Sequence, residues 1–185
     1  WGQNVFGEVG NGINDDVEST PIKVNLGLNT AISMSTSGRT TCVVLDDNTM
    51  KCWGMGSEGQ VGNGANTGDN ISPQTVTGIT NAVSVHSDSS AAYFCALLST
   101  SQIKCWGDNS FGQIGSGTFT TSFNTPQLVS GISTATKIFA GGKSICALLS
   151  NGDIKCWGDN TKRVINSGAI NARESPITGD IFHST

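Results

Sequence analysis

Cys146-Ala147-Leu148-Leu149-Ser150-Asn151-Gly152-Asp153-Ile154-Lys155-Cys156 is the stretch on which the fold turns. Two short apolar runs flank Ser150-Asn151-Gly152, a sequence suited to a three-residue hairpin loop with Gly152 in the left-handed conformation. Leu149 then faces Asp153, and three steps up the ladder Cys146 faces Cys156. That step is a non-hydrogen-bonded site, where Cα atoms approach to about 4.5 Å. A disulfide fits that separation.

The pattern recurs upstream. Cys42 and Cys52, and Cys95 and Cys105, stand at the same ten-residue spacing. Asn48 takes the left-handed place in the first hairpin, which Asn tolerates. Ser101 takes it in the second, a poorer fit. Zinc knuckles want ligands two to four residues apart, often with His, so the spacing argues for three intra-hairpin disulfides rather than metal. Stable disulfides imply an oxidising compartment, and the expected location is extracellular or at the cell surface.

Outward from the cysteines, a longer period appears. The stretches 1–12, 53–64, 106–117 and 157–168 align without a gap, with Trp1, Trp53, Trp106 and Trp157 at intervals of 52, 53 and 51. Pro21, Pro73, Pro126 and Pro176 follow at offsets of 20, 20, 20 and 19. This is a structural period. It divides 1–185 into units 1–52, 53–105 and 106–156 and a degenerate fourth, 157–185. Trp1 falls inside the motif, so the chain is expected to be part of a longer gene product. Tryptophans repeated in register read as core.

Alternation assigns the sides of the third hairpin. Cys146, Leu148, Ile154 and Cys156 share one face, and Ile145, Ala147, Leu149 and Trp157 the other. With both faces apolar, the small sheet must be covered on both sides, as a stacked blade is. The expectation is an all-β array of stacked antiparallel blades. Lys51, Lys104 and Lys155 interrupt the pattern at one place and read as lysines that discourage edge pairing.

Trp106-Gly107-Asp108-Asn109-Ser110-Phe111-Gly112-Gln113-Ile114-Gly115, followed by the Cys-Ala-Leu-Leu hairpin, resembles the regulator of chromosome condensation repeat over residues 1–160. The resemblance implies a β-propeller, seven-bladed in that family, with roughly 50 to 60 residues per blade. The paired cysteines are similar to those of its exported bacterial version. Thr40, Tyr93 and Ser144 stand where the family usually has His. The fourth unit replaces Phe-Gly-Gln by Lys162-Arg163-Val164. Three blades leave apolar faces exposed, so closure by further copies of the chain or by an adjoining domain is expected.

Bulk composition narrows the function. Charged residues are 13% of the chain and net charge is −4, which argues against a nucleic-acid partner, since phosphate binding needs a dense basic patch. No apolar run is long enough to span a membrane. An enzyme needs a nucleophile, base, acid or metal gathered in one place. The two histidines, His86 and His183, lie in different units, and no catalytic residue, metal or cofactor is expected. Asp46-Asp47-Asn48 has the look of a calcium cluster, but it sits at a hairpin tip where turn geometry favours the same residues.

Function in a repeat array sits where the units differ, on loops of one face. Here those are Ile13 to Thr20, Ala65 to Ser72, Thr118 to Thr125 and Ala169 to Ser175. Phe119, Phe123 and Asn124 in the third, with Asn66, Asp69 and Asn70 in the second, are the candidate ligand residues. Aromatics beside amides suit a glycan or a protein, though the plainer reading tucks both phenylalanines into blade edges. Lys162, Arg163 and Arg173 form a basic cluster that either meets an acidic surface or caps an edge. The expected function is non-catalytic, adhesin-like recognition of a glycan or protein on a cell surface. The alternative is a protein-binding propeller of the guanine-nucleotide-exchange or secreted enzyme-inhibitor type.

Overall fold

The computed structural model describes residues 1–66, 68–118 and 120–161, together with the backbone of the strand 173–178. Every regular element among them is a strand, and no helix is long and apolar enough to cross a membrane. A minimal pair, β1 (Gly2–Gln3) and β2 (Val17–Glu18), comes first. Three four-stranded antiparallel sheets follow in chain order. Blade I is β3 (Ala31–Ser37), β4 (Thr40–Leu45), β5 (Met50–Met55) and β6 (Asp69–Thr75). Blade II is β7 (Ala82–His86), β8 (Tyr93–Leu98), β9 (Ile103–Asp108) and β10 (Ser122–Leu128). Blade III is β11 (Ala135–Gly141), β12 (Ser144–Leu149), β13 (Ile154–Gly158) and β14 (Arg173–Thr178).

Blade and sequence unit are out of phase. Each Trp motif closes the third strand of one blade and leads through a glycine loop into its fourth. The degenerate fourth unit therefore supplies the outer strand of blade III. Pro73 and Pro126 lie where β6 and β10 break register against β5 and β9. An outer strand is where a residue without an N–H is tolerated.

The hairpins have the register read from the cysteines. Cys42 pairs with Cys52, Cys95 with Cys105 and Cys146 with Cys156. All three pairs are bridged, each with a Cα separation of 4.1 Å. Asn48, Ser101 and Gly152 hold the left-handed turn position with φ of 63°, 61° and 91°. Even the serine accepts it, because its carbonyl also receives the Ala135 N–H that starts the next blade, at 2.9 Å.

Stacking places the core. The disulfide side of blade I (Cys42, Val44, Met50, Cys52) buries against Val85, Phe94, Ala96 and Trp106 of blade II. The disulfide side of blade II repeats this against Ile138, Ile145, Ala147 and Trp157 of blade III. Trp106 and Trp157 are wholly buried, each contributing several kcal/mol of apolar transfer. The lysines depart from expectation. They sit on β5, β9 and β13, each flanked by strands on both sides, so they guard no edge. Lys51, Lys104 and Lys155 instead donate to the carbonyls of Leu26, Gly78 and Gly131 at 3.2, 2.9 and 3.1 Å. Each ammonium tethers the loop that leads into its own blade.

Candidate interaction surface

The glycine loops and the turns beside them carry the chemistry, and two neighbours shape each loop. The indole N–H groups of Trp53, Trp106 and Trp157 donate to Glu8, Gln60 and Gln113 carbonyls at 3.0, 2.9 and 2.9 Å. A Cβ on Gly10, Gly62 or Gly115 would lie within 2.6, 2.8 and 2.7 Å of those indole nitrogens. So the next blade's Trp reads the loop, and glycine is the only residue that admits it. The loop's far side rests on the following outer strand, with Gly12 N–H on the Ile71 carbonyl and Gly64 N–H on Asn124, each 2.9 Å.

That packing decides the fate of the sequence-derived candidates. Phe123 pairs with Gly107 and packs half-buried on the core between blades II and III. Asn124 donates its side-chain amide to the Gly64 carbonyl at 3.0 Å, which makes it an inter-blade tie. Asn70 is buried and bonds Gly54 and Gly68. Asn66 is exposed on the loop between β5 and β6, and Asp69, which opens β6 opposite Met55, is exposed as well. Phe119, Lys162, Arg163 and His183 lie outside the described residues. Arg173 starts β14, opposite Gly158.

The opposite ends of the inner strands differ more between blades than the loops do. Gly38 and Arg39 link β3 to β4, and Gly142 and Lys143 link β11 to β12, but six residues, Ser87 to Ala92, link β7 to β8. Arg39 stands over the Phe6 ring at 4.5 Å and Lys143 over Phe111 at 3.8 Å, two cation–π contacts at equivalent places. In blade II the same pair of places holds Ala92 and Glu58. The longer turn bridges all three blades: Ser37 Oγ donates to Ala91 O, and the Asp88 carboxylate accepts from Ser90 and from the Gly142 N–H. Those hydrogen bonds, the Ser90 hydroxyl first, hold Asp88 below its ordinary pKa.

At the positions where the family has His, Thr40 and Ser144 donate their hydroxyls to Met55 and Asp159 carbonyls, both at 2.6 Å. Tyr93 cannot. Its ring enters the core, its hydroxyl is buried without a partner among the described residues, and burial, aided by the Asp88 charge, pushes its pKa upward. His86 is half-buried beside Ser84 Oγ at 3.0 Å, and burial lowers its pKa. Asp47 accepts from Thr49 N–H and Oγ1 at 3.0 and 2.6 Å, a local turn that holds its pKa down. Among the described residues no three His, Cys, Asp or Glu side chains are placed to hold a metal.

Two of the cavities among the described residues bear on binding. A cavity of about 750 Å³ opens on the Trp53 side of blade I, lined by Val24, Leu26, Leu28, Met34, Val43 and Trp53 among others. A second, of about 300 Å³, lies between blades I and II and is lined by Arg39, Met55, Gln60, Ser89 and Ser90 among others. Sequence reasoning passed over the residues of the second cavity. The length of the β7–β8 turn and the loss of Asp and Asn from Trp53-Gly54-Met55-Gly56 were the signals that could have found it.

Comparison with known proteins places this geometry. The regulator of chromosome condensation (RCC1) repeat profile matches residues 30–60, 89–113 and 135–163, and a second profile of that repeat matches 105–148. The mouse (Mus musculus) E3 ubiquitin-protein ligase HERC2 is 25% identical over 95% of the chain and 4% of its own length. The human probable E3 ubiquitin-protein ligase HERC6 is 32% identical over 68% of the chain and 12% of its length. The chain thus spans a small part of these relatives. Among solved structures, yeast RCC1 (Prp20), determined with Kap60 bound, superposes with a TM-score of 0.80 at 16% identity, over 100% of this chain and 44% of that one. Human WBSCR16 gives 0.77 at 18% identity, over 94% and 44%.

Proposed function

This chain belongs to the regulator of chromosome condensation repeat family, and from that premise we propose that it is a non-catalytic recognition module that binds a protein outside the cell. The three bridged hairpins carry the reading. Every cysteine is paired, and structural disulfides persist where the surroundings are oxidising. An adhesin-like place on a bacterial surface suits that chemistry. Nucleotide exchange on a cytosolic GTPase does not.

Protein is favoured over glycan by one observation. Phe123, the aromatic platform a sugar would need, is turned into the blade seam. The solved relative Prp20p has been studied for binding to Gsp1p and histones, in keeping with protein surfaces as the partners of this fold. A glycan reading keeps the exposed Asn66 and Asp69. Absence of catalysis is proposed because the one described histidine, His86, has Ser84 Oγ as its side-chain hydrogen-bond partner among the described residues.

A thiol count on protein taken from its native host, unfolded without reductant, tests the location. No free thiol is expected, and six would return the chain to a reducing compartment. A glycan array run beside it tests the ligand class. Sugar binding lost on Asn66→Ala and Asp69→Ala would displace the protein reading.

A further inference from the structure

Gln113 and Gln60 occupy the same place in successive glycine loops, but only one has its side chain fully bonded. Gln113 accepts the Phe111 N–H on Oε1 at 2.8 Å and donates Nε2 to the Asp108 carboxylate at 2.9 Å. Asp108 in turn accepts from Ser110 N–H at 2.9 Å and from its hydroxyl. Gln60 accepts the Glu58 N–H on Oε1 at 2.8 Å, which fixes its amide the same way round. Its Nε2 makes no hydrogen bond among the described residues. The acid that would receive it is missing, because Met55 stands where Asp108 stands.

Gln60 is only 3% exposed, and its Nε2, which is not one of the wholly buried atoms without a partner, keeps its remaining contact with solvent. It lines the cavity of about 300 Å³ between blades I and II. Arg39 is the one ionised lining residue, and of the hydroxyls on the long β7–β8 turn that of Ser90 donates to Asp88 at 2.5 Å, which leaves that of Ser89. Ser57 falls at the register of Ser110. The nearby carboxylates do not line the cavity: Glu58 is exposed on the loop, and Asp88 is turned to Ser90 and Gly142.

From this we infer that the cavity is a receptor for one carboxylate, contributed by an Asp or Glu side chain of a protein partner. The incoming group takes the place that Asp108 fills from within the next unit. It accepts from Gln60 Nε2 and Ser57 and pairs with Arg39, a charge-assisted arrangement stronger than neutral hydrogen bonds. The inference rests on the chain being a protein-binding module and gives that module an acidic partner.

Nuclear magnetic resonance of the 15N-labelled 185-residue chain tests it at the Gln60 side-chain NH₂. The probes are the capped peptide acetyl-Gly-Asp-Gly-amide and, separately, sodium acetate, both at constant ionic strength. The peptide should shift that resonance saturably, and Arg39→Gln should weaken its binding about tenfold, the size of one charge-assisted contact. Met55→Asp should abolish the titration and move the Gln60 signal to the bound position unaided, since Asp108 and Asp159 hold the equivalent place in folded units. Acetate binding as tightly as the peptide would overturn the protein source in favour of small free acids. No saturable shift with either probe, or equal peptide affinity in wild type, Arg39→Gln and Met55→Asp, would overturn the site. Carboxylate binding by a chain that the glycan array assigns to sugars would leave the site standing and remove the recognition reading beneath it.

Discussion

The loops 53–64 and 106–117 have one backbone and two ways of being held. Gly59 N–H bonds Gly56 O and Gly62 N–H bonds Gly59 O, each at 3.0 Å, as Gly112 does to Asn109 and Gly115 to Gly112 at 3.0 and 3.1 Å. The left-handed glycines agree as well, with φ of 77° and 71° against 75° and 68°. Yet the later loop is braced from inside by Asp108 and Asn109, while the earlier one has Met55 and Gly56 in those places. A shape kept without its inner braces is imposed from outside. The clamp is the next blade's tryptophan on one side and the following outer strand on the other.

Removing the clamp should have the largest effect and should separate the two loops. Trp106→Ala and Trp157→Ala each delete a fully buried indole and are expected to cost about 3–5 kcal/mol in denaturant unfolding. Their local consequences should differ. Without Trp106 the loop 53–64 keeps inside it only its own turn bonds and the Glu58–Gln60 bond, so amide exchange at Gly62 should approach that of an open segment. Without Trp157, Asn109 still ties Ile114 N–H at 2.9 Å and the Thr118 and Thr120 carbonyls at 3.1 and 2.7 Å. Exchange at Gly115 should therefore stay partly protected. Equal exchange at both glycines would mean that the inner braces do nothing.

The braces themselves give the next effect. Asn109→Ala strands the N–H of wholly buried Ile114 and frees two carbonyls, a loss of about 2–3 kcal/mol. The complementary change, Gly56→Asn, installs the brace where it is missing. Gly56 does not need a positive φ, so Asn enters without backbone strain, and a gain of about 1 kcal/mol is expected. A fall in the unfolding midpoint of Gly56→Asn would show that loop 53–64 cannot adopt the internally braced form at all.

The sequence made the hairpins legible because their logic is local. A left-handed turn residue, a period of two and a ten-residue cysteine spacing fix the register of β12 on β13 with no knowledge of the rest. The period of Trp and Pro likewise exposes the array. What it hides is which side chain meets which unit. Phe123 and Asn124 look like free loop residues until Gly59 and Gly64 of the preceding unit arrive against them. Lys51, Lys104 and Lys155 look like edge guards until the lead-in loops fold back over them. The lysine bonds span 24 to 26 residues inside one unit, and the Asn124–Gly64 bond spans 60 residues between two, so neither shows in an alternation of two or in the repeat period. The cavity beside Gln60 was missed for a related reason, since it is defined by a donor that lost its acceptor.

The smallest effect falls where the two loops meet the long turn of blade II. Asp88 closes that turn on Ser90 at 2.9 Å and also receives the Gly142 N–H, so it ties the neighbourhood of loop 53–64 to blade III. Its pKa is lowered in the folded protein. A group whose folded pKa is depressed stabilises the fold fully above its unfolded value and loses that contribution as pH falls through the folded one. The loss should thus begin below the ordinary carboxylate range, near pH 4, and continue downward. Asp88→Asn removes the charge while keeping an acceptor for both donors. Thermal midpoints of the variant and the wild type should differ most at neutral pH and converge as pH drops below about 4, by a few tenths of a kcal/mol because solvent screens the site. Protection at Gly142 should follow the same course, with Gly62 unaffected. If Gly62 moves with it, the turn belongs to the clamp on loop 53–64, and the outside support of that loop has a third member besides the tryptophan and the outer strand.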